Sequence, residues 1–516
     1  MYLLNKGKRG IMRIVFSRLG LIILLLLMQF MFIFSVFRWF AELLPHIMGG
    51  TVIFTIIMVL YLLNSNINPT AKITWLIFIA IMPVFGALFF LYTQTEIGHR
   101  AVAKRLRELI NATRDSITQD VGTLEKLDKE GADVKALYSY INRTGCFPIS
   151  DDTSVTYFPL GEDKFKAMLE ELEKAEHFIF MEYFIVEEGT MWGQILEILA
   201  RKAAQGVDVR VMYDGMCEFV LLSHDYPKLM QKLGIKCKMF APATPFASTH
   251  YNYRDHRKIL VIDGHTAFNG GVNIADEYIN EKEKFGHWKD TAVMLKGSAV
   301  RNFTLMFLQM WSIDEQNPEF DKYLNEDIPK PQKTCGYVMP YGDCPLDDDK
   351  VGERVYMDIL NRAQRYVHIM TPYLILDGET ETALKFAAER GVDVRLILPG
   401  IPDKAIAYAL AKTDYASLLK SGVKIYEYTP GFVHAKVFVS DDCKAVIGTI
   451  NLDYRSLYHH FECATFMYKT DCIAEIEKDY QATLEKCRKA TFETLKKEKA
   501  VTKLIGGAAR VIAPLM

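Results

Sequence analysis

Three hydrophobic runs open the chain, Leu19–Phe37, Ile47–Leu63 and Ile73–Tyr92, and after them the pattern changes character. A run of about 20 apolar residues matches the hydrocarbon core of a bilayer. Residues 1–95 therefore read as a membrane region of two or three segments, the third interrupted by Pro83 and Gly86. The first run reads as an uncleaved anchor, because Arg38, Trp39 and Phe40 follow it where a signal-peptide cleavage site would need small residues. Residues 96–150 are mixed in charge, with partial helical periodicity from Arg105 to Leu137, and read as a linker helix.

From about Val155 strands and helices alternate. FIFMEYFIV (178–186) is the continuous apolar run of a strand buried on both faces. An amphipathic helix over Met191–Ala204 follows, and GVDVRVMYDG (206–215) is the next strand. Beyond a polar, proline-containing connection at 313–340 the order returns. RAQRYVHIMTPYLIL answers KAEHFIFMEYFIV, and GVDVRLILPG (391–400) nearly copies GVDVRVMYDG. Gly206 and Gly391 sit where a helix ends and a strand begins. The chain is an internal duplication of an α/β unit. Two similar β-sheet halves flanked by helices, 151–312 and 341–516, are expected behind N-terminal transmembrane helices, with a charged helix from about Ala474 to the end.

The duplication extends to a polar motif. HRKILVIDG carries His256, Lys258 and Asp263, and HAKVFVSDD carries His434, Lys436 and Asp441, both spelling His-x-Lys-x-x-x-x-Asp. The match continues in step to Gly270, Gly271 and Asn273 and to Gly448, Thr449 and Asn451. In each copy His and Lys would share one face of a strand. Two such strands side by side would put two imidazoles and two ammoniums into one pocket, which suits a phosphodiester. The lysines and the amides of Asn273 and Asn451 would hold its anionic oxygens, while one His attacks phosphorus and the other protonates the departing alcohol. The glycines permit close backbone approach, as would an ordinary turn. Asp263 and Asp441 complete the candidate catalytic set, read as bracing the motif loop or the lysines. His250, His265, His287, His459 and His460 read as surface or core residues. Glu182, Tyr183 and Tyr373 fall at strand ends that should face the cleft, with core packing the simpler account of the tyrosines.

The formal charge of −2 over 516 residues argues against nucleic-acid binding. Nine scattered cysteines form no Cys-x-x-Cys pair, so free thiols in a reducing compartment are expected and no zinc site. Both the basic N-terminus and the cluster Arg100, Lys104, Arg105 and Arg107 favour the cytoplasm. Three full spans would separate them; either one segment is re-entrant or the second cluster lies outside against the rule.

The paired motif with its Gly-(Gly/Ser/Thr)-x-Asn tail resembles the signature of the phospholipase D superfamily. Within it, YRDHRKILVIDGHTAFNGGVNIADEY and HAKVFVSDDCKAVIGTINLDYRSLYHHFE are similar to the two motif blocks of bacterial cardiolipin synthases, including the run Asp453–Ser456. AKITWLIFIAIMPVFGALFFLY and the terminal APLM are similar as well, so the resemblance covers about 45–516. It implies a duplicated phospholipase D-like sandwich at a membrane. The implied reaction passes a phosphatidyl group from one phosphatidylglycerol to another through a phosphatidyl-histidine, with no metal or cofactor. It implies His256 as nucleophile and His434 as acid and then base, a choice the near-symmetric sequence leaves open. Glycines and small residues of the tail, Gly271 and Thr449, would border the phosphate. Asp290 and Glu462 would hold the far nitrogens of the histidine rings. Hydrolysis, another alcohol acceptor, and nuclease activity are the competing readings, and oligomeric state is open.

Overall fold

The computed structural model describes residues 24, 26–33, 44–65, 67–94, 97–241, 253–325, 328–329, 331 and 333–515. It divides into two compact units, residues 1–101, 243–251 and 511–516 in the smaller, and 102–242 and 252–510 in the larger.

In the smaller unit, the expected segment Ile47–Leu63 lies within the helix Leu44–Leu63. The third segment is not one helix. Pro83 has no N–H to continue the ladder, and the chain breaks at Met82 into Pro69–Ile81 and Pro83–Gln94. At 1.5 Å per residue these are roughly 20 Å long, short of a hydrocarbon core of about 30 Å. Asn68 accepts the Thr70 N–H (2.9 Å) and starts the first of them. Gly86 permits their contact, since a Cβ there would lie 2.6 Å from the Phe78 carbonyl oxygen. Trp75, Ile79, Ala87 and Phe90 pack with Met58 and Leu62 into a small core. Most of Leu19–Phe37 lies outside the described residues. Among the described residues no helix is long and apolar enough to cross a membrane.

The stretch read as a linker helix forms three helices, Ile97–Ala112, Val121–Glu130 and Ala132–Gly145. Leu106, Leu127, Val134, Leu137 and Ile141 are buried in the main core, so the apolar stripe is packed rather than solvated.

The first repeat supplies strands β1 (Thr153–Phe158), β2 (Phe178–Tyr183), β3 (Asp208–Asp214), β4 (Lys236–Phe240), β5 (Arg254–Asp255), β6 (Lys258–Ile262), β7 (Thr266–Gly270), β8 (His287–Lys289) and β9 (Ala292–Gly297). The second supplies β10 (Tyr337–Asp343), β11 (Tyr366–Met370), β12 (Asp393–Pro399), β13 (Lys424–Tyr428), β14 (Gly431–Val433), β15 (Val437–Ser440), β16 (Lys444–Gly448), β17 (His460–Tyr468) and β18 (Cys487–Lys489). The sheet orders are β1-β9-β7-β6-β2-β3-β4 and β10-β17-β16-β15-β11-β12-β13-β18, the same path twice with one extra edge strand. Gly206 (φ 96°) and Gly391 (φ 94°) adopt the left-handed conformation that ends a helix ahead of a strand.

The apolar run of β6 has a use for both faces. Ile259 and Val261 join one buried cluster, Leu260 and Ile262 the other. The first cluster also takes Val437, Phe438 and Val439 of β15, so one core spans both repeats. The helix Val300–Trp311 belongs to it and is buried at every residue but Arg301; its buried Asn302 and Gln309 donate to Pro148, Pro340 and Thr113. The C-terminal region departs from the single helix expected from Ala474. Helix Cys472–Leu484 stops, β18 pairs with β13, and Thr491 caps a new helix, Phe492–Lys497, before the last, Ala500–Ile512.

Two short strands tie the repeats together. β5 pairs in parallel with β17 of the other repeat, and β14 with β8. Each runs directly into a motif histidine.

Candidate active site

Because β5 leaves its own sheet, the His256 N–H donates to the carbonyl of Phe461 (2.9 Å), and the His434 N–H to that of Lys289 (2.8 Å). This corrects the expectation that His and Lys lie together on one strand. β6 starts at Lys258 and β15 only at Val437, so each histidine stands in the crossing before its strand. In each case the residue directly after that carbonyl is an acid. Glu462 therefore meets His256 Nδ1 (2.9 and 3.0 Å), and Asp290 meets His434 Nδ1 (2.6 Å). Each histidine is partnered by the carboxylate of the other repeat.

The lysines turn back beneath the histidines. Lys258 Nζ donates to the His256 carbonyl (2.5 Å), and Lys436 Nζ to that of His434 (2.5 Å) while standing 2.9 Å from His434 Nε2. All four side chains and both acids are buried. Burial lowers the His256 pKa, and the charges of Lys258, His460, Lys436 and His434 lower it further, so groups of both motifs act on one ring.

Asp263 and Asp441 turn away from it. Asp263 accepts the backbone N–H groups of Glu176, His177 and Phe178 (2.8, 2.8 and 2.7 Å). Asp441 does the same for Gln364, Arg365 and Tyr366 (2.8, 2.9 and 2.9 Å). Both brace the start of the strand beside the motif, β2 or β11, and their hydrogen bonds do not go to the lysines.

A family described as "Cardiolipin synthase, PLD-like domain" matches residues 168–311 and 356–484, one stretch around each motif. The cardiolipin synthase of Alkalihalophilus pseudofirmus is 33% identical over 93% of this chain and 95% of its own. The chain belongs to this family. An uncharacterised protein of Streptococcus mutans is 57% identical over 89% of this chain and 99% of its own. In fold, the phosphatidylserine synthase of Haemophilus influenzae superposes on 74% of this chain and 99% of its own, with a TM-score of 0.57 at 15% identity.

In this member of the cardiolipin synthase family the tail residues serve the acids. A Cβ at position 271 would fall 2.1 Å from Asp290 Oδ1, so glycine makes the space that Asp290 fills. Thr449 instead donates its hydroxyl to Glu462, which accounts for Gly-Gly in one copy and Gly-Thr in the other. Asn273 ties the end of the first repeat's cleft, accepting the Ile185 N–H (3.1 Å) and donating to the Tyr278 hydroxyl (2.8 Å). The carbonyl oxygen of Asn451 is buried without a partner.

Burial dominates the electrostatics. It drives His434 down to about 4, helped by Lys436 and opposed by Asp290. It lowers Lys258 to about 8 and Lys436 to about 7, against the nearby acids. Burial would raise Asp290, but the charges of His434 and Lys436 and the Thr291 N–H outweigh it and hold the carboxyl below its usual value. Glu462 goes the other way, pushed well up by burial against Lys258 and the hydroxyls of Thr449 and Ser456. The two dyads are alike in geometry, while their acids shift in opposite directions.

Five residues around the pocket, Phe184, Tyr278, Trp288, Lys164 and Asp214, escaped the sequence reading. Phe184 lies against His256 (ring centroids 4.9 Å apart), and Tyr278 and Trp288 wall His434 (5.3 and 5.6 Å). Lys164 is fully buried, donating to Val272 O (3.2 Å), with its pKa lowered by burial to about 7. Behind β5, Asp214 accepts the Asp255 N–H (2.9 Å) and an Arg254 N–H (3.3 Å). Glu182 is buried with its nearest cation, Arg257, 3.8 Å away. Tyr183 belongs to the core, and Tyr373 donates to Asp403 (2.6 Å). No motif marks Phe184, Tyr278, Trp288, Lys164 and Asp214, whereas Glu182, Tyr183 and Tyr373 are the residues the sequence placed at strand ends facing the cleft. Donor atoms of His256, His460 and Glu462 lie within 4.8 Å of one another, a spacing a cation would accept. Lys258 beside them opposes a second positive charge, and the site's chemistry favours an anion.

Proposed function

We propose that this protein is a cardiolipin synthase, a phosphatidyltransferase that joins two phosphatidylglycerol molecules into cardiolipin and releases glycerol. The observation that carries it is the pair of crossed His–carboxylate dyads sharing one buried pocket with Lys258 and Lys436. His256 Nε2 attacks the phosphorus of the first lipid. The bond from phosphorus to the glycerol headgroup breaks, and His434, charged once the bound phosphate offsets Lys436, gives that oxygen its proton. His434 then takes the proton of a primary hydroxyl on the second phosphatidylglycerol, whose oxygen displaces His256 and restores the free imidazole. The lysines neutralise the phosphate charge in surroundings of low dielectric, where a fixed charge acts most strongly.

The protein works at a membrane, with the larger unit on the cytoplasmic side. The hydrophobic N-terminal runs support this, as do the free state of all nine cysteines and the basic cluster after Arg100. The last helix adds to it. Gly506 and Ala509 face inward while Val501, Leu504 and Ile505 are exposed, beside exposed Lys499 and Lys503.

The test is the purified full-length protein in vesicles of phosphatidylglycerol alone. Cardiolipin and glycerol formed in equal amounts, and abolished in His256→Ala and in His434→Ala, support the proposal. Phosphatidic acid as the main product makes the enzyme a hydrolase.

A further inference from the structure

His460 has no place in that mechanism, and the sequence reading set it aside. It is 7% exposed, and neither ring nitrogen has a hydrogen-bond partner. Glu462 Oε1 lies 3.6 Å from its Nδ1, beyond hydrogen-bonding reach. Its ring lies 5.2 Å from that of His256, centroid to centroid, and 6.4 Å from Phe184. The strand explains the position. β17 is hydrogen-bonded to β5 at His460↔Arg254, and His460 and Glu462, two residues apart, share the face that meets His256.

A buried imidazole keeps at least one N–H at any pH where it is neutral, and leaving that donor unpaired costs as much as losing a hydrogen bond. Polar groups orphaned in a folded protein gather at functional sites, where a ligand completes them. Here the orphan sits beside the attacking histidine, in a pocket whose cations select for phosphate. Burial and the surrounding cations Arg455, Lys258 and Arg254 hold the ring neutral, so it offers a hydrogen bond and no charge.

We propose that His460 is a substrate-holding residue whose free ring N–H donates to an oxygen of the lipid headgroup bound at His256. This rests on the phosphatidyltransferase reading of the site. The oxygen belongs either to the phosphate or to a glycerol hydroxyl, which present the same acceptor.

The experiment compares full-length wild type with His460→Leu, His460→Asn and His460→Gln in phosphatidylglycerol vesicles, measuring kcat, KM and thermal midpoint. The expected result for His460→Leu is a fall in kcat/KM of about tenfold or more with the midpoint unchanged or raised, because an orphaned donor has been removed. At least one amide variant restores most of the activity by returning an N–H. Inorganic phosphate and glycerol, titrated into each protein, separate the two acceptors: weaker binding of phosphate in His460→Leu assigns the phosphate oxygen, and weaker binding of glycerol the hydroxyl. Wild-type kcat/KM in His460→Leu overturns the proposal. So does a midpoint that falls in step with activity, which would make the residue structural, and so does unchanged binding of both probes. A wild type that makes no product refutes the function reading instead, and the phosphate and glycerol titrations still decide the role of His460.

Discussion

Replacing Asp263 by alanine should unfold this protein before it impairs the chemistry, and should do so more severely than the same change at Asp441. The two carboxylates make the same three backbone contacts, but their surroundings differ. Asp263 is 5% exposed and its bond to the Phe178 N–H is buried. The Asp441 bonds to Gln364 and Arg365 are exposed to water, which can replace the acceptor. A buried hydrogen bond to a charged group is worth about 2 kcal/mol, and an exposed one well under 1 kcal/mol. Both residues also hold left-handed backbone (φ 48° and 54°), where alanine costs about 1 kcal/mol. The expected losses are about 4 kcal/mol for Asp263→Ala and about 2 kcal/mol for Asp441→Ala. Thermal midpoints of the purified full-length proteins should fall in that order, with kcat per folded molecule near wild type well below the transition. Asp263→Ala with a wild-type midpoint and no turnover would refute this reasoning and place the carboxylate on the substrate.

Other outcomes follow from the same geometry. Lys436 near 7 and Lys258 near 8 are charged below those values and neutral above them. Affinity for the lipid phosphate is therefore complete only well below pH 7 and is lost as pH rises through 7 and 8. The basic limb of kcat/KM should fall there, far below the 10.5 of an ordinary lysine, and Lys436→Arg should move it up; a flat profile to pH 10 contradicts the lowered values. Asp290→Asn and Glu462→Gln should each lower kcat by roughly 10²–10⁴-fold. In double-mutant cycles Asp290 should couple to His434 and Glu462 to His256; the opposite pairing sinks the crossed arrangement. Turnover should persist in EDTA, with product formation followed by mass spectrometry, because the lysines supply the positive charge.

The repeat was legible because its strands are buried on both faces. FIFMEYFIV and GVDVRVMYDG have near-copies downstream, and a motif with fixed spacing survives copying. Nothing in the sequence marked the helix Val300–Trp311 as core, because its polar Asn302 and Gln309 are buried against partners that come from elsewhere in the chain. The stretch 96–150 looked like a linker because its charged residues hide a stripe that only packing identifies as core. The third hydrophobic run could be read as a span by composition alone, while Pro83 decides locally that it is two helices. His460 carried no mark in the sequence, since what makes it unusual is the absence of a partner.

The amino-acid order by itself determined the two motifs, the duplicated α/β architecture and the chemistry that paired imidazoles and ammoniums can perform on a phosphate. Those depend on residue type and short spacing, which the chain carries locally. Only the tertiary structure decided that His256 answers to Glu462 and His434 to Asp290, across the repeats. The physical reason is the crossing of β5 and β14 into the opposite half: a strand that leaves its own sheet takes its hydrogen bonds, and then its histidine's partner, from a segment well over a hundred residues away, and no local pattern encodes that exchange.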